Sequence, residues 1–315
     1  MKKIIFYFTR FLFSKLANSI IGFLGYIIIF RCGHAIGDHV YMSGILREIN
    51  ITKKSKIILF SNHYELFENN IRVKILCRFK LESYIWFFLN CIKGENILEF
   101  RSIHIKENME FYFLKYHKNS QMQLAEAMSE HFNLKLDYSN LKNEIYFSKN
   151  ELLQFEKKFQ LPQNYALIQS VTKKTHTTSK DWKISGMQKI VDSFQAVNWF
   201  QIGTSNEPKL KNCNHLFLDC NLKELAFIIY KCNFLVSYEG LFNHLASCFD
   251  KKNFLIHTGF LHSNSINYKN NILIEENLKM PCYPCFKLNC ENHNVDFVNL
   301  LNENKVIDII KKNFQ

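Results

Sequence analysis

KCNFLVSYEGLFNHLASCFDKKNFLIHTG, residues 231–259, decides how this chain folds. Two short apolar runs, Phe234 to Val236 and Phe254 to Ile256, flank a segment with Leu241, Leu245 and Cys248 or Phe249 at helical spacing. That pattern predicts strand, helix, strand, a unit that lays its two strands parallel. Ser237, Tyr238, Glu239 and Gly240 stand at the first strand-to-helix turn, and His244 follows one helical turn later. In a parallel sheet, ligands bind beyond the carboxyl ends of the strands, where helix N-termini offer unpaired N–H groups. A carboxylate, a flexible glycine and an imidazole are therefore expected at the ligand site.

Working outward, strands and helices alternate through the second half. Tyr165 to Val171, Trp199 to Gly203 and His215 to Asp219 read as strands. Ser185 with Gln188, and Asn221 with Glu224, read as capping boxes at helix starts. The first helix carries the apolar stripe Met187, Ile190, Val191, Phe194 and Val197. Alternation of this kind predicts a parallel sheet covered by helices. The loop after the first of these strands holds Thr175, Thr177, Thr178, Ser179, Lys180 and Trp182. Hydroxyl donors and one ammonium beside a strand end can hold a diphosphate, although a loop of this composition is more often only a solvated connection.

The first half opens with a basic, apolar segment, residues 1–24, in which Lys2, Lys3, Arg10 and Lys15 interrupt the hydrophobic runs. The interruptions leave no stretch of about 18 apolar residues to span a bilayer, and no unbroken core for a signal peptide. Two readings remain, a helix resting on an anionic leaflet and a helix packed on its own domain. Tyr26 to Phe30 reads as a buried strand that runs into Gly33 and Gly37, with Asp38 opening a helix through Val40, Gly44, Ile45 and Ile49. Asp38 by itself reads as an N-cap. Lys56 to Ser61, Ile71 to Phe79, Ser83 to Ile92 and Ile97 to Phe100 continue the alternation, and a long helix is expected from about Glu107 to Phe132.

A chain of 315 residues exceeds one core and suggests two domains of about 150 residues each. Loosening of the pattern between 135 and 160 puts the boundary near Leu161-Pro162. At 47% hydrophobic and 22% charged residues the chain has globular composition, so disorder and a membrane-embedded fold are excluded. The formal charge of +12 favours anionic partners. No zinc-finger pair, RNP-like motif or helix-turn-helix signature accompanies the scattered lysines, so nucleic acid is not among them. Cys77, Cys91, Cys232 and Cys248 lie inside apolar runs, which points to reduced thiols and a cytoplasmic setting.

These motifs together resemble glycosyltransferase family 9, the heptosyltransferase-like enzymes. Glu239, Gly240, His244-Leu245-Ala246 and Gly259 match its donor-site pattern, with Glu where Asp is commoner and one extra residue between Gly240 and His244. The Thr-rich loop with Lys180 and Trp182 is similar to the family's phosphate loop, and Gly203 followed by Glu207 to its ribose-binding turn. Gly37-Asp38 resembles its first-helix motif. The resemblance implies an α/β fold of the GT-B type, two Rossmann-like domains whose parallel sheets face a central cleft. It divides the chain into the segment 1–24, an acceptor domain 25–160, a donor domain 161–302 and a last helix, 303–315, that crosses back onto the first domain.

The same resemblance assigns roles. Asp38 is the catalytic base, Thr178 and Lys180 bind the donor diphosphate, Gly203 and Glu207 the ribose, and Glu239, Gly240 and His244 the sugar and phosphate. The donor is a nucleotide sugar, ADP-heptose or another, and no cofactor is required. The acceptor is a glycan or a lipid-linked saccharide of the lipopolysaccharide type, met at the inner face of the membrane. Cys282, Cys285, Cys290 and His293 are spaced to hold a structural zinc or iron, or stand as reduced structural thiols beside a histidine. Two other functions suit this fold: a nucleotide-sugar epimerase, and a glycan-binding protein without catalysis.

Overall fold

The computed structural model describes residues 2–32, 36–78, 94–101, 141–172, 180–276, 282–285 and 301–314. They fall into two compact units that divide between Ser148 and Lys149. The expected elements at 83–92 and 107–132 lie outside the described residues.

The first unit holds helix α1 (Lys2–Phe23), strand β1 (Tyr26–Cys32), helix α2 (Ile36–Lys53) and strands β2 (Lys56–Ser61), β3 (Val73–Arg78) and β4 (Ile97–Arg101). All pairings are parallel, in the order β3-β2-β1-β4. Strand order therefore reverses between β1 and β4. Ile27 and Ile29 on β1 and Ile57 and Leu59 on β2 are fully buried, as near-continuous apolar runs become when both faces of a sheet are covered. Asp38 is the third residue of α2, inside its first turn, so it is not the N-cap that capping statistics alone suggest. A carboxylate there is stabilised by the positive end of the helix dipole.

The second unit holds helix α3 (Lys149–Phe159), β5 (Ala166–Gln169), α4 (Ile184–Ser193), β6 (Trp199–Gly203), β7 (Asn214–Leu218), α5 (Leu222–Lys231), β8 (Phe234–Tyr238), α6 (Leu241–Cys248), β9 (Lys252–Ile256), β10 (Asn271–Ile274) and α7 (Glu303–Lys312). Its sheet is six-stranded and parallel, ordered β10-β9-β8-β5-β6-β7. Here order reverses between β5 and β8. The loops leaving the carboxyl ends of those two strands diverge, which opens the crevice in which ligands of open parallel sheets bind.

Local chemistry explains most element boundaries. Asn221 accepts from Glu224 N at 2.9 Å while the Glu224 carboxylate accepts from Asn221 N at 3.2 Å, the capping box expected for α5. The box expected at Ser185 is not formed. Helix α4 begins at Ile184 with Lys183 at the cap position, its side chain making no capping hydrogen bond. Its start is set instead by Trp182, buried in the core, whose Nε1 donates to Leu301 O at 3.2 Å and whose indole fills the space a Cβ at Gly186 would need.

One element departs from the sequence reading. Residues 149–159, read as loosened loop, form α3: Leu152, Phe155 and Phe159 share a face, Phe155 packs 5.4 Å from Phe227, and Glu151 pairs with Lys223 at 3.5 Å. The stripe of α7, Val306 and Ile310, is sealed in the core of the second unit, beside Met187 and Ile190.

Candidate active site at the β5–β8 switch point

The ammonium of Lys180 reaches the site because the residues around it are tied down. Asp181 Oδ1 accepts from Thr172 N at 2.6 Å and from the Thr172 hydroxyl, joining the two ends of the loop after β5. Trp182 plugs the core one residue later. Between these anchors Lys180 projects to Glu239, its Nζ 3.1 Å from Oε1 and 4.6 Å from the centre of the Phe260 ring.

Glu239 leaves the end of β8, and its side chain is 1% exposed. Among the described residues neither carboxylate oxygen accepts a hydrogen bond, and Lys180 meets it as an ion pair. A sealed carboxylate in that condition costs free energy unless donors complete it. Gly240 follows with φ of +134°, a conformation that favours glycine, and a Cβ added there would meet nothing within 4 Å. The N–H groups of the first turn of α6 begin directly after it, with positive potential that suits an anion.

His257 completes the group and is a residue that sequence reasoning passed over. It stands one position beyond β9 and is fully buried. Its Nδ1 lies 3.1 Å from Glu275 Oε2, and its Nε2 lies 3.0 Å from Leu261 O and 3.6 Å from Glu239 Oε2. Each ring nitrogen thus faces an acceptor. Burial, and then the charge at His257, depresses the pKa of His262. A lone histidine after an apolar run gives no warning of this role; the register of β8 on β9, with Tyr238 opposite Ile256, brings it beside Glu239.

The remaining expected residues divide. Gly203 ends β6 with φ of +147°, and the space its Cβ would need is taken by the Glu207 carboxylate. Glu207 Oε1 accepts from Thr204 N at 3.1 Å and Thr204 Oγ1 at 3.2 Å, whereas Oε2 is sealed from solvent. Burial raises the Glu207 pKa despite the Thr204 bonds. His244 is buried on α6 with Nδ1 2.7 Å from Tyr268 Oη. Asp38 is half-buried in the first unit, after β1 and beside that sheet's own reversal point. Thr178 lies outside the described residues.

Cys282 and Cys285 are half-buried and not joined in a disulfide, while Cys290 and His293 lie outside the described residues. Among the described residues no group of three or more His, Cys, Asp or Glu is placed to hold a metal ion. The Cys-Tyr-Pro-Cys segment borders the candidate site: Cys285 N donates to Gly259 O at 2.9 Å, and the Tyr283 hydroxyl accepts from Ser263 N at 3.0 Å. Elsewhere, burial lifts the Cys213 and Cys232 thiols to about 12 and that of Cys220 to about 11, so they behave as inert core groups.

Compared with solved structures, the chain aligns over 91% of its length with a glycosyl transferase family 9 protein from Veillonella parvula, covering 97% of it at 12% identity and a TM-score of 0.64. The fold is that of the family 9 glycosyltransferases. E. coli heptosyltransferase WaaC, solved with ADP, is covered completely at 13% identity and a TM-score of 0.55. The dodecameric, iron-containing heptosyltransferase TibC, solved with ADP-D-β-D-heptose, is covered over 76% at 12% identity and a TM-score of 0.60. No family model and no curated protein matches the sequence itself. The two parallel sheets described above are the ones this family 9 fold provides, and at such identity the likeness speaks to fold.

Proposed function

We propose that the chain is a glycosyltransferase that moves a sugar, heptose or a related one, from a nucleoside-diphosphate sugar to a glycan or lipopolysaccharide-type acceptor at the cytoplasmic face of a membrane. The reading is supported above all by the Lys180–Glu239 pair at the β5–β8 reversal point, where a sealed carboxylate accepts no hydrogen bond from the described residues and Gly240 leaves room for a ligand. Sugar hydroxyls are donors of the kind Glu239 lacks. The family 9 fold, and the ADP and ADP-heptose bound by two proteins that share it, make ADP-heptose the first donor to test.

Transfer breaks the bond between the anomeric carbon and the diphosphate oxygen and forms one to the acceptor oxygen. Asp38 takes the acceptor hydroxyl proton as general base. Lys180 with Thr178 neutralises the departing diphosphate, Glu207 and the turn at Gly203 hold the ribose, and Glu239, Gly240 and His244 hold sugar and phosphate. An ammonium and the N-terminus of α6 can carry the leaving charge without a metal ion. Incubating the protein with nucleotide sugars, with and without a lipid-linked acceptor, and reading products by mass spectrometry tests this. A glycosylated acceptor supports it; conversion of the free donor sugar to its epimer identifies an isomerase instead. Full transfer by both Asp38→Asn and Lys180→Ala would remove the assigned roles.

A further inference from the structure

Over residues 11–23, helix α1 turns mostly small side chains toward the first unit and large ones to solvent. Ala17 and Ile21 pack on the Phe30, Phe60 and Ile97 cluster. Asn18 accepts from Asn96 N at 3.0 Å, and its carbonyl accepts from Asn96 Nδ2 at the same distance. Gly22 lies so close to the Asn96 side chain that a Cβ there would stand 2.6 Å from Nδ2. Alanine, asparagine and glycine therefore face the first unit. Outward stand Phe11, Leu12, Leu16, Ile20 and Phe23, between 50% and 91% exposed. A helix that served only its own domain would be turned the other way round, with this stripe inside.

Single exposed leucines are ordinary, but a continuous row of large apolar side chains on one helix marks a contact surface. Charge selects the partner. No Asp or Glu occurs before Asp38, whereas Lys2, Lys3, Arg10 and Lys15 do. Lys15 is exposed on the apolar side, its Nζ 4.7 Å from the Phe11 ring centre, as a stem that lies along a nonpolar surface with its charge at the edge. Two copies of this chain meeting through α1 would bring like charges together. No helix among the described residues is long and apolar enough to cross a membrane.

We propose that the outward face of α1 docks on an anionic phospholipid leaflet, with Phe11, Leu12, Leu16, Ile20 and Phe23 entering the headgroup boundary and Lys15 meeting lipid phosphates. It shares with the transfer reading only the membrane location, and vesicle binding is measured without donor or acceptor, so the failure of one is distinguishable from the failure of the other. The test is co-sedimentation of the full chain with vesicles of phosphatidylcholine plus phosphatidylglycerol, and of phosphatidylcholine alone. The protein binds the anionic vesicles at least tenfold more tightly, and binding weakens as salt rises. Leu16→Asp with Ile20→Asp abolishes binding while the melting temperature holds, since neither side chain packs on the core. Should that variant unfold, Lys15→Glu, which keeps the apolar row, still lowers anionic-vesicle binding severalfold. Absence of wild-type binding, equal binding by the variants, or a dimer in light scattering that the aspartates dissociate would each overturn the proposal.

Discussion

The Lys180 ammonium sits 3.1 Å from Glu239 Oε1, and the carboxylate it meets is nearly sealed from solvent. Removing one partner of a buried pair strands the other charge, a loss of about 3–5 kcal/mol when both are fully buried. Lys180 is about a quarter exposed and His257 remains on the far side of Glu239. Lys180→Ala is therefore expected to lose about 1–2 kcal/mol in urea unfolding, after allowance for solvent screening. Combining it with Glu239→Gln should cost less than the sum of the single changes, and strict additivity would show that the pair is not coupled.

Gly240 and Gly203 separate backbone strain from crowding. Both have φ in the region that favours glycine, but an added Cβ meets nothing at Gly240 and meets the Glu207 carboxylate at Gly203. Gly240→Ala should destabilise by about 1–2 kcal/mol from backbone conformation alone. Gly203→Ala should cost more and should also weaken nucleotide binding, because Glu207 must move. Equal losses at the two positions would argue against the packing described for Glu207.

Glu207 gives a pH signature. Burial raises its pKa, so the folded protein holds this proton more tightly than the unfolded chain does. Its contribution to stability is fully present below the unfolded value of about 4.3 and is lost as pH rises through the folded one. A ribose-binding role requires the ionised form as acceptor. Nucleotide affinity should then fall, as pH is lowered, at a pH above the ordinary glutamate range, and Glu207→Gln should flatten that limb of a calorimetric titration.

Asp38→Asn should reduce kcat by about 10²–10⁴-fold, the usual weight of a general base, while leaving donor affinity and the melting temperature nearly unchanged. Its carboxylate lies in the first turn of α2 rather than at the cap, so loss of charge there costs well under about 1 kcal/mol. A parallel fall in donor binding would move Asp38 from proton transfer to donor recognition.

The frame of the molecule was readable because its strands are short apolar runs between strong turn signals. Residues 231–259 announced β8, α6 and β9, and Asn221 with Glu224 announced α5, through periodicity and capping alone. Helix α3 escaped notice because it buries little: Leu153 is exposed and its hold on α5 comes from one ring contact and ion pairs. The start of α4 was misplaced because a tryptophan anchor outweighed a capping pattern. Lys180 was legible only beside a motif, since Thr/Lys loops are common. His257, Asp181 and Glu275 were not legible at all: His257 and Glu275 each stand one position past an apolar strand, and Asp181 closes a loop on Thr172, places where no periodicity or capping pattern marks a polar residue. The reversed facing of α1 could not be read either, because composition shows an apolar helix and not which side the sheet takes.

Isothermal titration of the intact protein with ADP, GDP, UDP and the corresponding nucleosides tests the central claim most directly. One nucleoside diphosphate should bind at micromolar strength or better, and Lys180→Ala should weaken it about 10- to 100-fold, as loss of a charge-assisted contact does, while leaving the weak binding of the matching nucleoside unchanged. Failure of every diphosphate to bind, or binding that Lys180→Ala does not alter, would contradict a donor site at Lys180 and Glu239.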